Sequence, residues 1–593
     1  MTSNKPMIFM RRTALMAILS FVVSAMMAIP AKREWRTVTQ PDGTKLEVML
    51  VGDENFHYYV TRDDVALVER DGVYYYAKIE QRRLISTGVP ASDKPVSEAA
   101  VRQNGYATAA KAKEAEFKGV RKGPKKVGER EHATYLGAKK GLIILVNFTD
   151  KRFEPIENRD DSMTVNNYYS TLANTENYTS EWAVGSLRDY FRAQSYGQFD
   201  LTFDVVGPIT ADNDYSYYGR DLNGEEGNDL KVVDLVKEMC AKVDPIVNFQ
   251  DYDWDKNGEA DVVYLLYAGL GQATGGGSST IWPHMWALKD AVGMNLIDAL
   301  PVHDNISINI YACSNELYNN GTHMGIGVIC HEFSHCLGLP DVYDTGLGIN
   351  PGMGSWDLMN SGSYNGPMGI GWVPAGYTAY ERNYAGWLDF KELNENEVVE
   401  QLRPLTKAPD ACKMANDGHP DEYYILESRY KEGWDAYLPE SGLLIYHVDY
   451  DEGAWTRNEV NASTVDGDME RMSLVRSNGY RYGSPVTFPS TTNTVFGDTS
   501  RPKAVLNNAN TDGDFLLHKE VSEITRQADG VISFVFTNLT QANGIESPAV
   551  AGKSAIEWYD MTGRCLWASE KKSHRGLLFV RDSQGKVVKT IGQ

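Results

Sequence analysis

The chain has 593 residues, enough at roughly 100 to 200 residues per domain for three to five units with large cores, which excludes a single small module. Hydrophobic residues make up 42%, charged residues 23% and aromatic residues 11%, a composition that excludes a disordered or fibrous chain. The 80 Asp+Glu against 58 Lys+Arg leave a net charge of −22, which repels phosphate backbones and excludes nucleic acid as the main partner.

At the N-terminus Lys5, Arg11 and Arg12 precede an apolar run from Ala14 to Ala28, followed by Ile29, Pro30 and Ala31. This is the pattern of a secretory signal over residues 1–31, which predicts a secreted or cell-surface protein; a retained N-terminal anchor is the alternative. The run is shorter than the roughly 20 residues that span a bilayer, and no other stretch approaches that length, so no stable membrane span is expected. Six cysteines are too few for a disulfide framework. Cys330 and Cys336, six apart on a predicted helix, lie about 240° apart around its axis and are not expected to pair.

Residues 32–117 read as β-rich, with a turn at Gln40-Pro41-Asp42-Gly43 and alternation from Thr44 to Leu50. Residues 118–133 form a linker in which Lys118 to Arg130 carries six basic residues against one acidic, an exposed stretch suited to proteolytic processing or to a plain solvated tether. The continuous apolar run Leu142 to Phe148 predicts a fully buried strand and opens the next domain, 134–392. Ser186 and Asp189 stand at capping-box spacing before an amphipathic helix to Ala193, another helix spans 230–243, and Val262 to Tyr267 is again a strand. Such alternation predicts an α/β domain on a largely parallel sheet. Strand-like runs dominate 393–540, which predicts a β-sandwich-like accessory domain, and 541–593 reads as a small separate β module.

The chemistry concentrates in His331-Glu332-Phe333-Ser334-His335, followed by Gly338 and Asp341. Histidines four apart on a helix share one face and can hold one zinc ion, with Glu332 beside the metal-bound water. Gly338 permits a sharp exit from the helix, and Asp341 can then return a third ligand; Asp344 is the alternative third ligand. The extended pattern arises by chance in about one in ten thousand chains of this composition. Zinc acidifies its water and polarises the scissile carbonyl, while Glu332 takes the water's proton and passes it to the leaving amine. Met359, in Gly354-Ser355-Trp356-Asp357-Leu358-Met359-Asn360, lies where metzincin-type enzymes carry their Met-turn. Tyr364 reads as packing or as an oxyanion partner, and His284 and His323 as structural histidines or neighbours of the site.

These segments, together with Gly185 to Asp200 and Gly433 to Asp449, resemble the immune inhibitor A family of secreted zinc metallopeptidases. The resemblance implies zinc ligands at His331, His335 and Asp341, a catalytic Glu332, a metzincin-like catalytic domain and protein or peptide substrates. It also implies that the N-terminal β region is a propeptide.

Asp253, Asp255, Asn257 and Asp261 occupy positions 1, 3, 5 and 9 of a calcium-loop pattern, but Tyr264 stands where the twelfth-position Glu belongs. A structural calcium ion or a plain Asx-rich turn fits. No Cys lies between residues 32 and 130, which excludes a cysteine switch for latency. Gly52-Asp53 is similar to the Gly-Asp of an aspartate switch known in some metzincins, with a hairpin turn as the alternative. The last fifty residues resemble the C-terminal sorting domain of type IX secretion, which implies the outer-membrane secretion machinery as a partner, although Phe579 stands where that family usually has Tyr. The expectation is a secreted zinc endopeptidase made as a latent precursor. Its rival is an inactive calcium-dependent adhesin on the same fold, which has no need of Glu332.

Overall fold

The computed structural model describes residues 27–80, 83–92, 105–117, 135–156, 164–220, 229–464, 469–491 and 493–541, and the backbone of 557–559, 576–581 and 587–592. The chain divides into two compact units, Met1–Asn538 and Leu539–Gln593. The basic linker and most of the apolar leader run lie outside the described residues.

The described residues of the first unit open with a two-residue strand, Met27–Ala28 (β1). A six-stranded antiparallel meander follows, with Arg36–Thr39 (β2), Lys45–Gly52 (β3), His57–Thr61 (β4), Ala66–Arg70 (β5), Val73–Glu80 (β6) and Arg83–Pro90 (β7) paired in sequence order. Leu46, Val48 and Leu50 alternate with more exposed neighbours and bury one face of β3, as a period of two requires. Gly105–Phe117 (α1) is a helix inside the region read as β-rich. The stretch expected to end a removed leader also contributes to this unit: Ala28 and Ile29 are fully buried. Apolar residues at the end of a leader and apolar residues completing a sheet edge have the same local pattern.

The α/β region contains Gly137–Asn147 (β8), Val165–Asn174 (α2), Leu187–Gln194 (α3), Phe199–Thr210 (β9), Val232–Val243 (α4), Val263–Leu270 (β10), His284–Ala287 (β11), Ile310–Leu317 (β12) and Gly327–Cys336 (α5). Its sheet has the order β1-β11-β12-β10-β8-β9. The four strands β12, β10, β8 and β9 are parallel, β11 runs antiparallel to β12, and β1 runs antiparallel to β11 at that edge. From Gly141 on, β8 is buried on both faces because helices cover both. Ile143 and Leu145 join the cluster of Phe191 from α3 and Phe333 from α5, while Leu142, Ile144 and Val146 join that of Val236 and Met239 from α4. Each such side chain contributes roughly 1.5–3 kcal/mol through burial. Ser186 caps α3 in a complete capping box with Asp189.

Beyond residue 390 a five-stranded sheet centred on His419–Arg429 and Gly442–Asp449 faces a three-stranded sheet of Glu397–Leu402, Lys519–Arg526 and Ile532–Asn538. Both sheets feed one apolar cluster that includes Met414, Leu426, Leu443, Val521 and Phe534. Among its described residues the second unit has three antiparallel strands, Glu557–Tyr559, Gly576–Arg581 and Val587–Gly592. Among the described residues no helix is long and apolar enough to cross a membrane. All five cysteines among them, Cys330 and Cys336 included, are free and buried.

Candidate metal centre

The helical period places His331 and His335 one turn apart on α5, with their Nε2 atoms 3.2 Å from each other. Asp341 Oδ1 lies 3.1 Å from the first Nε2 and 3.3 Å from the second. A tetrahedral ion bound at about 2.0–2.1 Å holds its ligand atoms roughly 3.3 Å apart, so the three atoms form one face of such a site. The imidazoles are oriented from behind. His331 Nδ1–H donates to Leu358 O at 2.8 Å and His335 Nδ1–H to Leu339 O at 2.7 Å, which leaves each Nε2 lone pair for a metal.

Gly338 adopts φ 96°, a left-handed conformation that turns the chain out of α5 and brings Asp341 back to the histidines. Asp341 Oδ1 and Glu332 Oε2 are buried without a hydrogen-bond partner. Buried carboxylate oxygens left in this way cost several kcal/mol unless a cation meets them, so the donor set fits a zinc ion. Burial, and then the Asp341 carboxylate, push the Glu332 carboxyl well above its ordinary range. For Asp341, burial acts upward, but the His335 and His331 imidazoles outweigh it and hold the carboxyl far below the ordinary range.

Met359 is buried, its amide donates to Asp357 Oδ1 at 2.7 Å, and its carbonyl accepts from Val342 N at 3.0 Å. Its loop therefore supports both the Asp341 segment and, through Leu358, the His331 ring. Asp344 accepts four amides, from Gly346, Ile349, Asn350 and Ser463, and so organises its own loop. His284 is satisfied by Trp282 O and Tyr311 OH.

Asp53 sits in the turn between β3 and β4, where its Oδ1 accepts the amides of Asn55 and Phe56. Burial pushes its carboxyl up to about 7. The adjoining Glu54, which sequence reasoning passed over, is buried with Oε2 unpartnered; burial first, then the charge of Asp53, and after it those of Asp341 and Glu332, push its carboxyl well above the ordinary range. Asp253, Asp255 and Asp261 come within 4.8 Å of one another. Asp253 and Asp255 accept the Asn257 amide, Asp253 also accepts that of Gly258, and Asp261 accepts the Trp254 amide, as in an Asx-rich turn.

Ile29 is buried beside α5, and its amide donates to Glu332 Oε1 at 2.8 Å. Nothing in the local sequence marks this contact across 303 positions.

Residues 131–388 match the family model of the immune inhibitor A peptidase M6 catalytic domain. Over 322 residues the chain is 26% identical to "Pre-pro-metalloprotease PrtV" of Vibrio cholerae serotype O1 (strain ATCC 39315 / El Tor Inaba N16961), covering 48% of this chain and 34% of that protein. Over 366 residues it is 24% identical to "Immune inhibitor A" of Bacillus thuringiensis subsp. alesti, covering 56% of this chain and 50% of that protein. The chain thus spans between a third and a half of the length of the curated relatives it matches. The His331, His335 and Asp341 cluster lies inside the matched span 131–388.

Proposed function

We propose that the protein is a secreted zinc endopeptidase made as a latent precursor, with His331, His335 and Asp341 as metal ligands and Glu332 as general base. The observation that carries this reading is the triangle of two Nε2 atoms and Asp341 Oδ1 with edges of 3.1–3.3 Å, with Glu332 on the same helix. Zinc, when bound, supplies Lewis acidity toward the scissile carbonyl and toward water. Glu332 takes a proton from the attacking water and returns it to the leaving nitrogen, so the C–N bond is exchanged for a carboxylate and an amine. Burial of Glu332 keeps that proton inside the site.

Latency is supported by Ile29 on Glu332 and by the packing of the β2–β7 sheet beside the catalytic region, where Glu69 Oε2 accepts the Ser278 amide at 2.9 Å. Asp53 or its neighbour Glu54 is the carboxylate proposed to act there. This reading requires the export leader to end before Met27, short of the 1–31 span expected from the sequence, so that Met27 to Pro30 stay in place. A calcium ion on the Asp253 to Asp261 loop and passage through the type IX machinery by the tail complete the proposal; they rest on the loop spacing and on the tail's resemblance.

The test takes the full chain, nicks it in the basic linker with trypsin, quenches the trypsin, and compares it with Glu332→Ala. Near one zinc per chain in both, with chelator-sensitive casein cleavage lost by about 10²–10⁴-fold in the variant, supports the reading. Folded protein that binds zinc while neither form cleaves casein supports the adhesin instead.

A further inference from the structure

Resting on the peptidase reading, we propose that Ala28-Ile29-Pro30 occupies the cleft in the register of a substrate, so that the enzyme cuts between a small residue and a following branched apolar residue. β1 pairs antiparallel with the edge strand β11, Met27 opposite Met285 and Ala28 opposite His284, which is how an extended peptide extends an open sheet edge. Beyond the ladder, consecutive backbone groups are taken up by side chains of the catalytic region. Ala28 O accepts from Tyr343 OH at 2.5 Å, Ile29 O from Trp282 Nε1 at 2.9 Å and Pro30 O from Tyr364 OH at 2.9 Å.

The bond between Ala28 and Ile29 is singled out by Glu332. The Ile29 amide donates to Glu332 Oε1 at 2.8 Å, which sets this carboxyl beside the nitrogen that has to be protonated as the bond breaks. Ala28 therefore stands for the residue that supplies the acyl carbon and Ile29 for the residue that leaves as the amine. Cleavage of such a bond in a substrate adds one water: the hydroxyl ends on the acyl carbon and the proton carried by Glu332 goes to the amine. Both flanking residues are 0% exposed. Ala28 lies against a strand with no exposed surface left, which limits side-chain size, and Ile29 joins the apolar cluster of Trp282 and Met285, which favours an aliphatic chain. Tyr343, Trp282 and Tyr364 are the groups that hold a substrate's main chain in this register.

The test uses the full chain carrying Ile29→Asp, which puts a carboxylate beside buried Glu332 and expels the segment. Expected are loss of hydrogen-exchange protection over residues 30–36 and faster tryptic cutting after Lys32. Expected also is binding of a fluorescent acetyl-Met-Ala-Ile-Pro-Ala-Lys-Arg amide, read by polarisation. Replacing the peptide's Ala by Phe, or its Ile by Gly, weakens binding by about tenfold or more, whereas replacing its Lys by Gln leaves it within about twofold. Should Ile29→Asp misfold, Tyr343→Phe and Tyr364→Phe in the full chain each raise exchange of the same amides. The inference is overturned if residues 30–36 stay protected in the folded Ile29→Asp chain, or if the Ala and Ile replacements cost no more than the Lys replacement. Zinc near one per chain with casein cleavage, but no peptide selectivity, overturns the register and leaves the peptidase reading standing.

Discussion

Asp341 and Asn458 exchange two hydrogen bonds across 117 positions: Asn458 Nδ2 donates to Asp341 Oδ2 at 2.6 Å, and Asp341 N donates to Asn458 Oδ1 at 2.7 Å. One oxygen of the carboxylate is thereby fixed from the accessory region and the other is aimed at the two imidazoles. Asn458 also takes φ 58°, where a side chain with an amide is tolerated and Ala is strained. Asn458→Gly removes both bonds while keeping that backbone, and is expected to weaken zinc binding by about 10–100-fold with little loss of secondary structure. Competition with a chromogenic chelator measures this, and an unchanged zinc affinity would show that Asp341 holds its orientation unaided.

The N-terminus of α5 is locked to the loop after the Met359 segment. A Cβ built on Gly327 falls 1.8 Å from Ser363 O, a backbone atom that cannot swing aside. Gly327→Ala must therefore shift α5 or the loop, and the expected result is a melting temperature lower by at least several degrees, from overpacking of about 1–3 kcal/mol or more. A thermal scan checks it. The comparison variant Gly43→Ala, at a turn with open space around the position, pays only the backbone strain of φ 87° and is expected to lose less.

What the sequence makes legible is what local periodicity carries. The i, i+4 histidines, the exit at Gly338, the buried run of β8 and the Ser186 cap are each fixed by residues within a turn or a strand of one another. What it hides is contact at a distance. Asn458 reaches Asp341 from another region, Ile29 reaches Glu332 from a run that reads as a leader, and Glu54 is distinguished from Asp53 only by the unpartnered Oε2 that the fold leaves beside it. No spacing rule links residues hundreds of positions apart in one chain.

Arg429 ties the accessory sheet to the α/β region from a fully buried position. It forms a bidentate pair with Asp435 at 2.8 and 2.7 Å, and donates to Glu427 Oε1, Trp356 O and Gly376 O. Lysine cannot reproduce a planar fork with five donors. Removal of the guanidinium leaves two buried carboxylates facing each other, so Arg429→Ala is expected to cost about 3–5 kcal/mol, and Arg429→Lys to recover only part of it. Thermal melts of both variants decide the matter; equal stability of Arg429→Lys and the unmodified chain would overturn the claim that fork geometry matters.

His518 offers a pH-dependent contribution separate from the metal centre. Its Nδ1 lies 2.8 Å from Asp498 Oδ2 and its Nε2 2.8 Å from Asp512 Oδ2, with Asp514 Oδ1 at 3.2 Å. Both ring nitrogens face carboxylates, so both are best protonated. Partial burial opposes the charge, but the bonds to Asp498 and Asp512 and the nearby acids outweigh it and raise the imidazole above its ordinary value. The folded state thus binds the proton more tightly than the unfolded chain does. The resulting stability is fully present below the unfolded value of about 6.5 and is lost as pH rises through the higher folded value. Replacement by Asn keeps the left-handed φ of 57° at this position. His518→Asn is therefore expected to melt below the unmodified chain at pH 6, with the gap narrowing at pH 9, and with salt reducing it at pH 6 because the cluster is partly exposed. A gap of equal size at both pH values would mean that packing, not the imidazolium, accounts for the contribution of His518.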